Sequence, residues 1–170
     1  LLDGDDYFHL DKLETLEKYL NINKDLNIIF DLPEIKKDDN LTQLKLKNKY
    51  QKNIWPTIIN TSSITIKKDF LENFFQKKLF ENFNLLEIDF RLNVYSRCID
   101  KKFLIIQEKM TVYRYVEGSI ITSIKKFSKM WWIKRLQAHE YMNYIFKINN
   151  LHYKYSIDWF FTKILSILLK

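Results

Sequence analysis

The stretch Leu1-Leu2-Asp3-Gly4-Asp5-Asp6-Tyr7-Phe8 decides how the rest of the chain is read. Two leucines running into an acid read as the end of a buried strand. Asp-Gly is a turn dipeptide, and helical spacing resumes shortly afterwards. That places the turn at the C-terminal edge of a sheet, where open α/β sheets bind their ligands. Asp3, Asp5 and Asp6 are three carboxylates in one turn, and they repel one another unless a cation lies among them. Oxygen ligands suit a hard divalent ion such as Mg²⁺ or Mn²⁺, and Gly4 lets the backbone approach closely. The plainer alternative is a polar turn that caps a helix.

Outward from this turn, Asp11 is placed to cap a helix from Lys12 to about Leu20, with Leu13, Leu16 and Leu20 at helical spacing. Asn27 to Phe30 reads as a short buried strand that Pro33 ends. A polar stretch through Asp38, Asp39 and Asn40 leads to an expected lysine-rich surface helix over Leu41 to Tyr50. Ser62 to Ile66 alternates like a strand, and Asp69 to Phe80 returns to helical spacing. Leu86 to Cys98 predicts a helix carrying Asp89 and Arg91. Two strands follow, over Phe103–Ile106 and Met110–Tyr113. The spacing is then helical from Ser123 to about Ile148, and a last amphipathic helix runs from Ser156 to Leu169. With two Gly and two Pro in 170 residues, elements should be long and helix should dominate.

Composition narrows the class. Hydrophobic residues make up 46% of the chain and aromatics 16%, enough to bury a core of single-domain size. No run of eighteen apolar residues predicts a spanning helix, and the first residues lack the pattern of a signal peptide. The expected compartment is therefore cytoplasmic. Cys98, the single cysteine, excludes an internal disulfide and a cysteine-based zinc cluster. The net charge of +7 is spread among acids, as in Lys67-Lys68-Asp69, so it reads as a solvated surface and no nucleic-acid partner is expected. Leu1 is not a methionine, and a strand that ends at the first residues implies that sequence is missing before it.

The opening segment resembles the strand and Asp-x-Asp-Asp turn of family 2 glycosyltransferases of the GT-A type, and three further segments resemble that family in its own order. Trp55-Pro56-Thr57, with Thr61-Ser62-Ser63-Ile64-Thr65-Ile66-Lys67-Lys68-Asp69-Phe70, is similar to the acceptor-side strand and following helix. Glu87-Ile88-Asp89-Phe90-Arg91-Leu92 is similar to the acidic helix start that holds the catalytic base. Thr111-Val112-Tyr113-Arg114, with Gly118-Ser119-Ile120 beyond, resembles the strand and loop near the donor diphosphate. Ile88 departs from the family's adjacent pair of acids. Residues two apart on a helix point in different directions, so only one of Glu87 and Asp89 can face the acceptor.

The resemblance implies an α/β fold, a partial Rossmann-like GT-A domain that is helix-rich, with an acceptor-side catalytic portion over 1–122 and a C-terminal helical extension over 123–170. It implies metal-dependent, inverting transfer of a sugar from a nucleotide-sugar donor to a glycan or lipid-linked acceptor. Asp89 would be the base, Asp3 and Asp5 the ligands of Mn²⁺ or Mg²⁺, and Asp6 and Arg114 the neighbours of the diphosphate. Trp55, Thr61, Ser62 and Glu87 would lie on the acceptor side. Because the nucleotide-recognising half of the fold is absent, the fragment alone is expected to be inactive. The rival reading is a non-enzymatic basic module that binds an anionic polymer or a membrane surface.

Fewer signals point elsewhere. His9, His139 and His152 are too scattered to form a ligand set. Trp131, Trp132, Lys134, Arg135 and His139 share one helix, in which the tryptophans are expected to pack. Ile157, Phe160, Phe161, Ile164, Leu165 and Leu168 give the last helix a broad apolar face, suited to docking or to peripheral contact with an inner membrane surface.

Overall fold

Ile28-Ile29-Phe30 is the segment about which the first half of the molecule is built, because all three residues are buried and β-branched side chains favour extended backbone. The computed structural model describes residues 1–43, 55, 60–77, 83–115 and 124–168. In chain order the elements are β1 (Tyr7–Phe8), α1 (Lys12–Ile22), β2 (Ile28–Phe30), β3 (Glu34–Lys37) and β4 (Asn40–Gln43). A 3₁₀ turn (Thr61–Ser63) leads into β5 (Ile64–Ile66), α2 (Lys68–Gln76) and α3 (Ile88–Tyr95), which continues as a π-helical turn (Ser96–Asp100). Then come β6 (Phe103–Ile105), β7 (Thr111–Arg114), α4 (Lys129–Ile148) and α5 (Ile157–Leu168). The mixed α/β architecture agrees with the expected class.

Two small sheets carry the first compact unit, which comprises Leu1–Lys78 and Ile88–Val116. One has the order β5-β2-β6, with β2 antiparallel to β5 and parallel to β6. The other has the order β1-β7-β3-β4, with β7 antiparallel to β1 and parallel to β3. Leu16 of α1 packs with Ile29, Ile106 and Met110 to form a core cluster. Burying each such side chain contributes about 1.5–3 kcal/mol. The second compact unit comprises Leu79–Glu87 and Glu117–Lys170. There Phe83 packs edge-on against Tyr141 of α4 at 5.4 Å, and Gln137 accepts a hydrogen bond from the Leu85 N–H. The boundary expected at 122/123 lies outside the described residues.

Several expectations are corrected. Leu1 and Leu2 are exposed and form no strand, although the Leu1 amino group donates to the Ile64 carbonyl at 3.3 Å. The acidic turn leads into β1 and not directly into a helix. α1 buries Lys12 and Leu16 and packs Leu20 on the core cluster but leaves Leu13 75% exposed, so Lys12 takes the inward place that the leucine repeat gave to Leu13. Asp11 occupies the N-cap position without a side-chain capping bond.

Leu41–Gln43 is part of β4, paired in a hairpin with β3. Asp38 turns the chain at φ 52°, a left-handed conformation that aspartate tolerates better than most residues. The rest of the helix expected there, 44–50, lies outside the described residues, as do 56, 57, 78–80, 118–120 and 169. Of the strand expected over Ser62 to Ile66, Ile64–Ile66 is strand and Ser62 and Ser63 lie in the 3₁₀ turn, because Asn60 Oδ1 accepts from the Ser63 N–H at 2.9 Å and closes the turn. α4 starts at Lys129, where the Ser128 hydroxyl oxygen accepts from the Trp131 N–H.

Candidate active site

The antiparallel register of β1 with β7 pairs Tyr7 with Val112 and Phe8 with Thr111. Carried two residues outward, it sets Asp5 beside Arg114. The Arg114 guanidinium donates through Nε to the Asp5 carbonyl, and the Arg114 backbone N–H donates to Asp6 Oδ1 at 3.1 Å. Within the turn, the Asp6 N–H donates to the Asp3 carbonyl at 3.2 Å. Asp3, Asp5 and Arg114 are exposed, whereas Asp6 is buried. The second Asp6 oxygen accepts from Asn60 Nδ2 at 3.0 Å. Asp6 thus clamps the turn to β7 and to the 3₁₀ turn, and Asp3 and Asp5 are left as the carboxylates facing outward.

Residues assigned by sequence to the acceptor side lie against this turn. Ser62 Oγ accepts from the Asp3 N–H at 2.9 Å. Burial, followed by the negative charge of Asp6, raises the Asp3 carboxyl above its usual range, while a hydrogen bond from Thr61 pulls it back. Tyr113, on β7, is also raised, by burial first and then by the charges of Asp6 and Asp5. This is a local excess of negative charge at one sheet edge. Among the described residues, no group of three or more His, Cys, Asp or Glu converges as a metal site by itself. Two outward carboxylates nevertheless fit the way Mg²⁺ is commonly held, by one or two carboxylates plus phosphate oxygens of a substrate.

Behind the turn lies a network that sequence reasoning missed. Lys12 is 2% exposed, and its ammonium donates to Asp31 Oδ2 at 2.8 Å, to the Ser62 carbonyl at 2.8 Å and to Thr111 Oγ1 at 2.6 Å. It also lies 3.9 Å from the centre of the Phe8 ring. Burial lowers the Lys12 ammonium and raises the Asp31 carboxyl, and each partner opposes the other's shift. Asp31 directly follows β2, and its N–H donates to the Ser63 carbonyl at 3.1 Å. One cation therefore joins α1, the end of β2, the 3₁₀ turn and β7. An acid at the end of a wholly apolar strand, Phe30-Asp31-Leu32, was the available signal.

Asp89 lies in the first turn of α3 and is 4% exposed, with Oδ1 accepting from the Phe90 N–H at 2.5 Å. The half-buried Trp55 ring lies 5.8 Å from the ring of Phe90, so Trp55 adjoins the same helix start. Glu87 belongs to the second compact unit, where its carboxylate takes the Lys134 ammonium. Of the two acids in this segment, Asp89 is the one carried by the helix in the unit that also holds Asp3, Asp5 and Arg114.

The mixed α/β fold of the chain is similar to that of a solved protein. The likeness is to the crystal structure of S. aureus TarS 1–349 in complex with UDP-GlcNAc, with a TM-score of 0.52 over 99% of this chain. Sequence identity over that match is 9%, so what the two share is the fold. The chain spans 46% of the TarS chain. No protein family model matches the sequence, and no curated protein matches it.

Proposed function

We propose that the chain is the acceptor-side part of a glycosyltransferase that moves a sugar from a nucleotide donor to a hydroxyl of a glycan or lipid-linked acceptor. The observation that carries this reading is the exposed acidic turn held against Arg114 at a sheet edge, in a fold shared with a protein crystallised with UDP-GlcNAc. Arg114 binds and orients the donor diphosphate as a fixed cation. Asp3 and Asp5 would hold Mn²⁺ or Mg²⁺, which supplies positive charge to the departing diphosphate. Asp89 accepts the proton of the acceptor hydroxyl as that oxygen attacks the anomeric carbon, with inversion. Its burial keeps water from competing for that proton. Trp55 gives the acceptor a ring to lie against, and Thr61 and Ser62 fix the turn from behind.

The exposed Ile157, Phe160, Phe161, Ile167 and Leu168 of α5 favour an acceptor presented at a membrane surface. No helix among the described residues is long and apolar enough to cross a membrane. The test is nucleotide release from UDP-sugars by the protein with any sequence preceding Leu1 restored. Release that needs a divalent cation and falls at least about a hundredfold in Asp5→Ala and in Asp89→Asn supports the reading. Polyanion affinity that falls steeply with salt and ignores both substitutions would establish the basic binding module instead.

A further inference from the structure

The parallel strands β2 and β6 have a second end, and a groove opens there. Asn27 and Lys102 precede these strands, and the Asn27 N–H donates to the Lys102 carbonyl at 2.8 Å. Lys67 follows the antiparallel β5 and donates its N–H to the Asn27 carbonyl at 3.0 Å. The groove has a volume of about 610 Å³ and is lined by this strand edge, by α2 and by the end of α3 with its π-helical turn. Asn27 and Asp31, at opposite ends of β2, are separated by about 13 Å of extended chain. The groove is therefore distinct from the acidic turn.

Its lining combines three chemistries. The first is an aromatic floor. Tyr95 and Phe74 are buried edge to face at 5.3 Å, and Phe70, half-buried, tilts over Tyr95 at 6.1 Å. The second is a set of fixed planar polar groups. Asn27 Nδ2 donates to Asp100 Oδ1 at 2.9 Å, and the Lys102 N–H donates to Asp100 Oδ2 at 3.1 Å, so the amide and carboxylate are held in place before any ligand arrives. Asn73 adds a second, exposed amide on α2. The third is balanced charge, since the lining carries Lys67 and Lys77 together with Asp69 and Asp100, and the Lys67 ammonium donates to the Lys24 carbonyl. The Lys77 ammonium is already engaged by the Tyr95 hydroxyl oxygen at 2.8 Å.

Balanced charge disfavours a phosphate, and the ring of amides and carboxylates disfavours an acyl chain. A pyranose matches both halves, because its C–H face is apolar and weakly positive toward an aromatic ring and its edge is a row of hydroxyls. The π-helical turn that supplies one wall is a rare backbone form that occurs frequently at functional sites.

We propose that this groove binds an uncharged mono- or disaccharide unit of a glycan, at a place separate from the acidic turn. The inference does not depend on the transferase reading, because binding is measured with no nucleotide sugar present. The experiment titrates the full chain with cellobiose, maltose and chitobiose, with glucose 6-phosphate alongside, and follows binding by saturation-transfer NMR.

The expected result is binding of at least one uncharged sugar, weakened about tenfold or more in Phe70→Leu and in Asn73→Ala. Thermal melting confirms that each variant folds. If Phe70→Leu fails to fold, Asn73→Ala, altered at an exposed helix position, decides the matter. Three outcomes overturn the proposal: no uncharged sugar bound at millimolar concentration, binding that both substitutions leave unchanged, or binding of the phosphorylated sugar alone.

Discussion

Lys12 sits on the buried face of a helix that its leucines were expected to line, and it does so because three acceptor oxygens and the Phe8 ring converge on its ammonium. Replacing it with methionine removes the cation and leaves the Asp31 carboxylate buried and uncompensated. The expected cost is about 3–5 kcal/mol in urea unfolding, with much of it recovered in the double variant Lys12→Met/Asp31→Leu. In the single variant the deficit should shrink as pH falls, since burial already raises the Asp31 carboxyl and protonation discharges it.

Asp3 allows a second test. Its carboxyl is raised in the folded chain, so folding favours the protonated form. The cost of its charge is absent below about pH 3.8 and appears as pH climbs through the raised value. Asp3→Asn should therefore match the wild-type melting temperature in acid and exceed it near neutrality, with the difference opening through the upper carboxylate range. A difference independent of pH would contradict the account.

The legibility of the site divides at this same scale. Asp3, Asp5, Thr61, Ser62 and Arg114 could be picked out because they lie in short runs of distinctive chemistry, and they come together through one strand register and one 3₁₀ turn. Asp31 carried a signal as an acid closing an apolar strand, but Lys12 did not, because nothing local marks a lysine whose partners are 19, 50 and 99 residues away in sequence.

At the scale of elements, β2 was readable as a short unbroken apolar run closed by Pro33, and the long helices α4 and α5 because each keeps one period over its length. The β3–β4 hairpin was not, because Glu34–Gln43 carries almost no alternation and its turn depends on one left-handed aspartate. The π-helical turn after α3 also has no sequence signature of its own.

Helix α5 is held to α4 by polar contacts. Arg135 donates twice through Nη2 to the Asp158 carboxylate, at 2.6 and 2.7 Å, and His139 Nε2 lies 3.0 Å from Asp158 Oδ2. Asp158→Asn should cost about 1.5 kcal/mol and speed amide exchange along α5 roughly tenfold, as read by hydrogen–deuterium exchange. Burial lowers the His139 imidazole and Asp158 partly restores it. A lowered histidine contributes stability above its unfolded value near pH 6.5 that is lost as pH falls through its folded value. The Asp158→Asn variant should lose stability more steeply across that window than the wild type, and parallel curves would show that the contact does not govern His139.

For the molecule as a whole, the contacts define two units whose boundary passes beside α3 and leaves Glu87 in one and Asp89 in the other. The two-residue spacing already implies that the two acids point in different directions, and the fold assigns them to different units. Asp89, the acid that the family resemblance makes the base, lies in the unit that also carries the acidic turn.

The claim at the centre of the account is that Asp3 and Asp5, backed by Arg114, form a site for a divalent cation and a diphosphate. It is tested most directly by electron paramagnetic resonance of Mn²⁺ titrated with the full chain, with and without UDP. The account predicts Mn²⁺ bound more tightly when UDP is present, and that gain lost in Asp5→Asn and reduced in Arg114→Gln. Mn²⁺ that stays free with UDP and chain together, or that binds equally well in Asp5→Asn, would contradict it.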